Sequence, residues 1–258
     1  MLKKLVSVAL LAGLIGGLGA TVFQSVYVMP LILEAESFEV TEAAPHEVAT
    51  SHAGHDHDHD HGHAHGDGDE WAPADGFQRT TATAAANVFA GIGFALLLLA
   101  AMHLRGQTIS ARIGLIWGGA GFMAFSLAPF FGLPPELPGM TGAALESRQL
   151  WWVATTILTA GGLWVMTSPS AKLGTALKLA LGLLLIILPH AYGAPQLASD
   201  MHAESAIPAH LSSEFAVAVL AHGLILWLAL GVSTGWLYRR LDLQSQGLPP
   251  SSGTASHA

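Results

Sequence analysis

The chain has 258 residues, of which 52% are hydrophobic and only 11% are charged. Ordinary globular domains carry about 25% charged residues, so this composition predicts a membrane protein and argues against a soluble domain. The chain contains no cysteine, which excludes disulfides, thiolate metal sites and cysteine nucleophiles. The formal net charge of -8 comes mainly from acids between the apolar stretches, so it says little about partners.

Six apolar stretches approach the ~20 residues that a helix needs to cross a bilayer. They cover about residues 5–29, 81–104, 110–131, 149–168, 173–190 and 214–237. We therefore expect an all-α, polytopic membrane helix bundle with about six transmembrane helices. The expected divisions are a first transmembrane helix in 1–33, an outer loop in 34–79, five further helices in 80–237 and a cytoplasmic tail in 238–258.

The basic residues predict the orientation of this bundle. If the N-terminus is cytoplasmic, only Arg79 and Arg148 fall outside. The inner segments then hold Lys3, Lys4, Arg105, Arg112, Lys172, Lys178, Arg239 and Arg240. This asymmetry predicts an N-in, C-in topology with loop 34–79 outside. The first stretch also looks like a signal peptide, but its apolar run exceeds the ~7–15 residues of such a region, so we expect a retained span.

Prolines stand near the outer ends of the first, third and fifth spans. The order Pro, aromatic, Gly, Pro occurs twice: Pro129, Phe131, Gly132, Pro134 and Pro189, Tyr192, Gly193, Pro195. The first span meets Pro30 at the corresponding place. The pattern predicts three helical hairpins related as repeats, whose broken helix ends could offer backbone carbonyls to an ion. Prolines end helices in general, which is the simpler alternative.

The loop contains the run HDHDHDHGHAH, His55–His65, and eight of the fourteen histidines lie between His46 and His65. Because the loop is poor in aliphatic residues, we expect it to be disordered. Alternating imidazoles and carboxylates supply overlapping ligand sets for first-row divalent metals, which favours capture over selectivity. The predicted ligands are His52, His55, His57, His59, His61, His63 and His65. The alternatives are an incidental linker, a purification tag and a pH sensor.

Ionisable side chains at membrane depth are costly and tend to be functional. His190 follows Pro189 at the break of the fifth span, and His222 lies inside the sixth span, eight residues after Glu214. We expect His190, Glu214 and His222 to form a relay that passes metal inward. Alternatively, each histidine bonds to a neighbouring helix, which is the preferred interpretation for His103 at the inner end of the second span.

Four segments together resemble the CbtA family of predicted cobalt transporters, over essentially the whole chain. They are LLAGLIGGLGATVFQSVYVMPLILEAE, LAPFFGLPPELPGM, RQLWWVATTILTAGGLW and LPHAYGAPQ. The resemblance implies a permease of the bacterial inner membrane that imports cobalt and is associated with cobalamin synthesis. It also implies a partner, the small single-span, His-rich CbtB subunit. That family is usually described with five spans, whereas this sequence has six apolar stretches.

Motifs of zinc proteases and of nucleotide-driven pumps do not occur in the sequence, which contains no HExxH and no Walker P-loop. The run GVSTG, residues 231–235, has the Gly-x-Ser-x-Gly spacing, but it lies inside the last apolar stretch and not at the strand-to-helix turn of a catalytic elbow. We therefore expect no enzymatic activity, no resident cofactor and no nucleic-acid partner, with metal as cargo and energy from a gradient or another subunit. The residues leave open a nickel or zinc transporter working in either direction, or a membrane metal sensor or chaperone.

Overall fold

The computed structural model describes residues 2–43, 74, 76–169, 173–196 and 207–246. Within these residues the chain is helical and contains no strand. The helices are α1 (Leu2–Phe23), α2 (Met29–Ala43), α3 (Phe77–Leu104), α4 (Ala111–Phe122), α5 (Ala128–Phe130), α6 (Leu145–Met166), α7 (Thr175–Tyr192) and α8 (Ala209–Ser245). Two π-helical segments, π1 (Gln24–Val28) and π2 (Met123–Leu127), join α1 to α2 and α4 to α5. The described residues thus form six long helical stretches, which confirms the predicted bundle.

Five of these stretches, as far as the chain is described, are long and apolar enough to cross a membrane. They are Leu2–Phe38, Phe77–Leu104, Ala111–Phe130, Thr175–Tyr192 and Ala209–Ser245. The stretch that falls short is α6, which has 22 residues like α1 but is less apolar. Three buried threonines, Thr155, Thr156 and Thr159, contribute to that difference.

The course of α6 nevertheless matches that of a spanning helix. Near its start, Arg148 forms an ion pair with Glu136, in the loop that follows α5. At its other end, Arg105 at the end of α3 donates to the carbonyl of Trp164 at 2.7 Å and to the hydroxyl of Thr167. Because these contacts lie at opposite faces of the bundle, α6 extends from one face to the other, packed against α7 and beside α4, π2 and α5.

The helices pack around α8. It contacts α1 and α4 extensively, α3 lies against α1, and the α6–α7 hairpin joins the bundle beside π2 and α5. The largest buried side chains of the core include Trp227, Leu230, Leu99, Met102 and Val8. By contrast, α7 packs chiefly against α6 and exposes several leucines, as a face toward lipid would.

Glycines let the helices approach closely at two seams. In the α4–α8 seam, a Cβ atom on Gly114 would meet the carbonyl oxygen of Gly231, and one on Gly118 would meet that of Trp227. In the α1–α3 seam, a Cβ on Gly17 would lie 2.6 Å from Val88 Cα. Small residues at such positions allow close backbone packing of membrane helices.

An ion pair defines one face of the bundle. Lys4 at the start of α1 lies 2.5 Å from Asp242 near the end of α8, so both ends of the described chain reach the same face. We call it the inner face, in keeping with the predicted N-in, C-in orientation. The core cluster continues down to this face through Leu237 and the half-buried Leu5 and Tyr238.

Two helices extend into the segment 34–79 that the sequence assigns to the outer loop. The first helical stretch continues through α2 to Ala43, beyond residue 33, and α3 begins at Phe77, before residue 80. The extension persists because Ala35 joins an apolar cluster with Leu211 and Phe215 of α8, so α2 still has a face to bury. Residues 34–43 are therefore helical, while residues 44–73 lie outside the described part of the chain.

Candidate functional site

The two π segments share one local cause. Each is followed, after one residue, by a proline, Pro30 or Pro129, which has no N–H and clashes with the carbonyl four residues earlier. The N–H before each proline bonds five residues back instead: Met29 to the carbonyl of Gln24, and Ala128 to that of Met123. Such bulges disturb the regular carbonyl pairing and occur frequently at functional sites.

The π segments also change which of the three predicted hairpins resemble one another most. The first and second hairpins share a π segment followed by proline, whereas Pro189 lies inside a helix, α7, that continues to Tyr192. The structural repeat is therefore clearest between the first hairpin (α1 to α3) and the second (α4 to α6). The Pro, aromatic, Gly, Pro motif in the sequence had instead related the second and third hairpins.

His222 on α8 lies at the level of both π segments. A Cβ on Gly16 of α1 would lie 2.6 Å from the Leu230 side chain. The helices α1 and α8 are antiparallel, so eight residues forward along the first correspond to eight residues back along the second. Counting from the Gly16–Leu230 contact, Gln24 is therefore level with His222. On the other side, a Cβ on Gly223 would lie 3.0 Å from Ser126 Oγ in π2. The α1–α2 stretch and the α4–α5 stretch thus both depart from α geometry at the level of His222.

The imidazole of His222 has one nitrogen available. Its Nε2 atom is buried and has no hydrogen-bond partner among the described residues. Leaving a buried polar atom unpartnered costs about 1–3 kcal/mol. Imidazole nitrogen is also a common ligand of first-row divalent metals. A bound ion would therefore relieve the unpaired atom.

A polar network lies beside π1. Asn87 Nδ2 on α3 donates to Gln24 Oε1 at 2.8 Å and to Thr21 Oγ1 at 3.0 Å, and the Thr21 hydroxyl donates to the Gly17 carbonyl. The network joins α3 to the start of π1. Asn87 and Ser126 were not among the residues predicted from the sequence, although their polar side chains inside apolar spans could have indicated both.

The two proline motifs meet at Trp151 of α6. Its Nε1 donates to the Pro189 carbonyl at 3.2 Å, and its ring packs edge-on against His190, with ring centroids 5.6 Å apart. The same ring fills the space beside Gly132, where a Cβ would also lie 3.0 Å from Ala194 Cβ. Trp151 therefore positions His190 near the outer end of α7, a role that the sequence pattern does not reveal.

The predicted relay residues belong to different helix pairs. His190 lies on α7, which packs against α6, whereas Glu214 and His222 lie on α8, between α1 and α4. Glu214 is exposed, about two turns outward from His222. Across the described ranges, no group of three or more His, Asp or Glu side chains could hold a metal ion together. The relay stays a prediction, and the seven loop histidines lie outside the described residues.

His103 has partners for both ring nitrogens. Nδ1 lies 2.8 Å from the Leu99 carbonyl, and Nε2 lies 3.2 Å from the Tyr238 hydroxyl. The Lys4 ammonium in turn lies 3.7 Å from the centroid of the Tyr238 ring. These contacts tie α1, α3 and α8 together at the inner face, which agrees with the structural interpretation of His103.

The helical architecture and the paired π segments can be compared with known proteins. A family model described as "Probable cobalt transporter subunit (CbtA)" matches residues 2–239, nearly the whole chain. No curated protein and no solved structure matches the chain. The match includes every helix described above, apart from the last residues of α8. The chain therefore belongs to the CbtA family of probable cobalt transporter subunits.

Proposed function

We propose that this multi-pass membrane protein imports divalent cobalt through a site at the level of His222. The observation that carries the proposal is the buried, unpartnered Nε2 atom of His222, at the depth where π1 and π2 both contact α8. An ion crossing the bundle there would meet one nitrogen ligand, at the same depth as the side-chain oxygens of Gln24 and Ser126. Discontinuous helices serve many transporters in this way, because they expose polar groups to an ion at membrane depth.

The neutral groups at the level of His222 suit a cargo that must leave again. Ser126 in π2, next to Gly223, and Gln24 in π1 each have an uncharged side-chain oxygen, and Gln24 Oε1 accepts from Asn87 Nδ2. A site with few strong ligands binds a divalent ion less tightly than a closed, four-ligand structural site. This arrangement supports passage of the metal rather than its permanent retention.

The His52–His65 segment acts, in this proposal, as an outer antechamber. Its imidazoles and carboxylates would raise the local metal concentration beside the outer face. From there, His190 beside Trp151 and the exposed Glu214 would each contact the metal on its way to His222. The three residues then act in sequence, His190 on α7 first, followed by Glu214 and His222 along α8.

The family description calls the protein a subunit, which supports a partner. We propose that the partner is a small single-span, His-rich CbtB-like subunit. The metal is the substrate, and we expect no catalytic activity and no resident cofactor. The proposed location is the bacterial inner membrane, with the His-rich loop outside.

Cobalt uptake by His222 variants tests the site. In cells that express the full chain together with its candidate partner, His222→Ala should lower radiolabelled cobalt uptake at least about tenfold, because it removes a nitrogen ligand. His190→Ala should lower uptake as well. His210→Ala is the matched control, since His210 is exposed on the same helix, and it should leave uptake unchanged.

Folding and direction need separate readouts. His222→Gln keeps a polar side chain, so membrane levels and melting temperature equal to those of the unaltered protein would show that the loss of uptake is not misfolding. Full uptake by both His222 variants at low cobalt would overturn the site. Cobalt leaving loaded cells faster when the protein is present would overturn import, and stronger competition by nickel or zinc would overturn the choice of metal.

Deleting residues 52–65 tests the antechamber. The deletion should raise the cobalt concentration needed for half-maximal uptake and leave the maximal rate unchanged, because the segment concentrates metal without lying on the membrane path. Replacing the segment with an equally long Gly/Ser linker controls for loop length. Loss of transport at saturating cobalt would contradict this role.

A further inference from the structure

A groove opens at the outer face where α6 begins. It has a volume of about 530 Å³, and its lining includes Pro134, Pro135, Leu145, Arg148, Trp152 and Val153. We call the groove that these residues line the outer groove. Leu145 and Val153 are exposed, so the groove faces away from the bundle core. At the end of a membrane helix, that direction faces the interfacial region of the bilayer, where tryptophan is enriched.

The rim of the outer groove contains an opposed pair of charges. Arg148 Nη1 lies 2.8 Å from Glu136 Oε2, and each side chain is about one-quarter exposed. A Cβ on Gly142 would lie 2.6 Å from Glu136 Oε2 and 2.8 Å from Arg148 Nη1, so the backbone at this glycine packs directly against the ion pair. The two charges are therefore held in place while both remain accessible to a ligand.

The start of α6 adds further hydrogen-bond donors. Residue Ala144 precedes the helix and has no side chain that could cap it. The first N–H groups of a helix lack partners within the helix, and together they carry a partial positive charge. Leu145, the first residue of α6, lines the groove, so this end of the helix lies beside Arg148, and the Glu146 carboxylate in the same turn offsets part of its positive charge.

We propose that the outer groove binds a phospholipid whose headgroup carries both a phosphate and a primary ammonium. The phosphate would lie against Arg148 and the start of α6, and the ammonium against Glu136. An acyl chain would lie along Leu145, Trp152 and Val153. An arginine has five N–H donors and a carboxylate about four acceptor positions, so both can bind the headgroup while keeping their own ion pair.

This arrangement distinguishes among lipids. Phosphatidylglycerol has a phosphate but no ammonium for Glu136, and the quaternary amine of phosphatidylcholine has no N–H to donate to a carboxylate. We therefore expect preference for phosphatidylethanolamine over both. The preference does not depend on which metal the protein carries, so it can be tested without transport.

Lipid retention by the purified full chain tests the proposal. The delipidated protein is mixed with phosphatidylethanolamine, phosphatidylglycerol or phosphatidylcholine of identical acyl chains, and bound lipid is counted by native mass spectrometry. The unaltered chain should retain phosphatidylethanolamine about tenfold better than either other lipid, and this lipid should raise its melting temperature. In Glu136→Gln, retention of phosphatidylethanolamine should fall to the level of phosphatidylcholine. In Arg148→Gln, retention of all three lipids should fall.

A second outer ion pair supplies matched controls. Arg79 lies 2.6 Å from Glu36, and neither lines the outer groove, so Glu36→Gln and Arg79→Gln should keep the lipid preference. Equal retention of the three lipids by the unaltered chain would overturn the proposal, and so would equal losses in the control variants. A photoreactive group at Val153 should crosslink lipid in native membranes; a crosslink to a polypeptide instead would show that a partner helix occupies the groove.

Discussion

Three histidines within the helical bundle have different surroundings. His103 bonds through both nitrogens, His190 lies against the ring of Trp151, and His222 keeps a buried Nε2 atom without a partner among the described residues. Hydropathy places all three near or within apolar stretches. It cannot tell which nitrogen is paired, because the partners come from other helices that are distant in sequence. The unpaired atom of His222 is therefore a structural finding, whereas its position in the sixth span was predictable.

Trp151 provides a prediction at the scale of a single residue. Trp151→Phe keeps an aromatic ring but removes the Nε1 donor, while the Pro189 carbonyl keeps the bond from the Gly193 N–H. The free energy of unfolding should therefore fall by about 0.5–1.5 kcal/mol, the net value of one hydrogen bond, measured by denaturant titration in detergent. Trp152→Phe is the control, since Trp152 is 37% exposed. Equal losses in the two variants would contradict a specific role for the Trp151 bond.

At the scale of helices, sequence and structure differ most at π1 and π2. The segments Gln24–Val28 and Met123–Leu127 lie inside longer apolar stretches, which hydropathy presents as continuous helices, so it gives no sign of the change in hydrogen bonding. The prolines that follow were visible, and they predicted broken helix ends. Their position relative to α8 was not predictable, because it depends on the antiparallel register fixed by contacts such as Lys4 with Asp242.

The α4–α8 seam provides a prediction at the same scale. A Cβ on Gly118 would meet the backbone carbonyl of Trp227, which cannot turn aside as a flexible side chain can. Gly118→Ala should therefore lower the free energy of unfolding by about 1–3 kcal/mol. Gly119→Ala is the matched control, because nothing lies within 4 Å of its Cβ position, and this variant should be neutral or slightly stabilising. Unchanged stability in Gly118→Ala would contradict the close approach.

For the whole molecule, composition predicted most of the helical architecture. The apolar stretches anticipate the six helical stretches of the described residues, and the ion pair of Lys4 with Asp242 places both ends of these residues at one face, whose side of the membrane stays a prediction. The end of the first helical stretch was less predictable, because α2 continues it by packing on α8. The relay could not be placed from sequence, since nothing in the chain reveals that α7 packs with α6 and α8 with α1 and α4.

The crossing of α6 provides a prediction for the whole molecule. Because the chain has no cysteine, a single introduced cysteine reports its own position without background. Ser147→Cys at the start of α6 should react with a membrane-impermeant maleimide on intact cells. Thr167→Cys at its end should react only after permeabilisation, as should Gln246→Cys, the inner-face control. Labelling of both α6 positions from outside would mean that α6 enters and leaves on one side.

The glycine seam between α4 and α8 limits how this protein can change shape. Their backbones are in close contact at Gly114, Gly118, Gly231 and Gly235. Separating these helices would therefore remove van der Waals contacts along several turns. The α6–α7 hairpin has no such seam with the helices around α8 and rests mainly against π2 and α5. If the metal passes His222 as proposed, opening its path costs least when α6 and α7 move together while α1, α4 and α8 keep their packing.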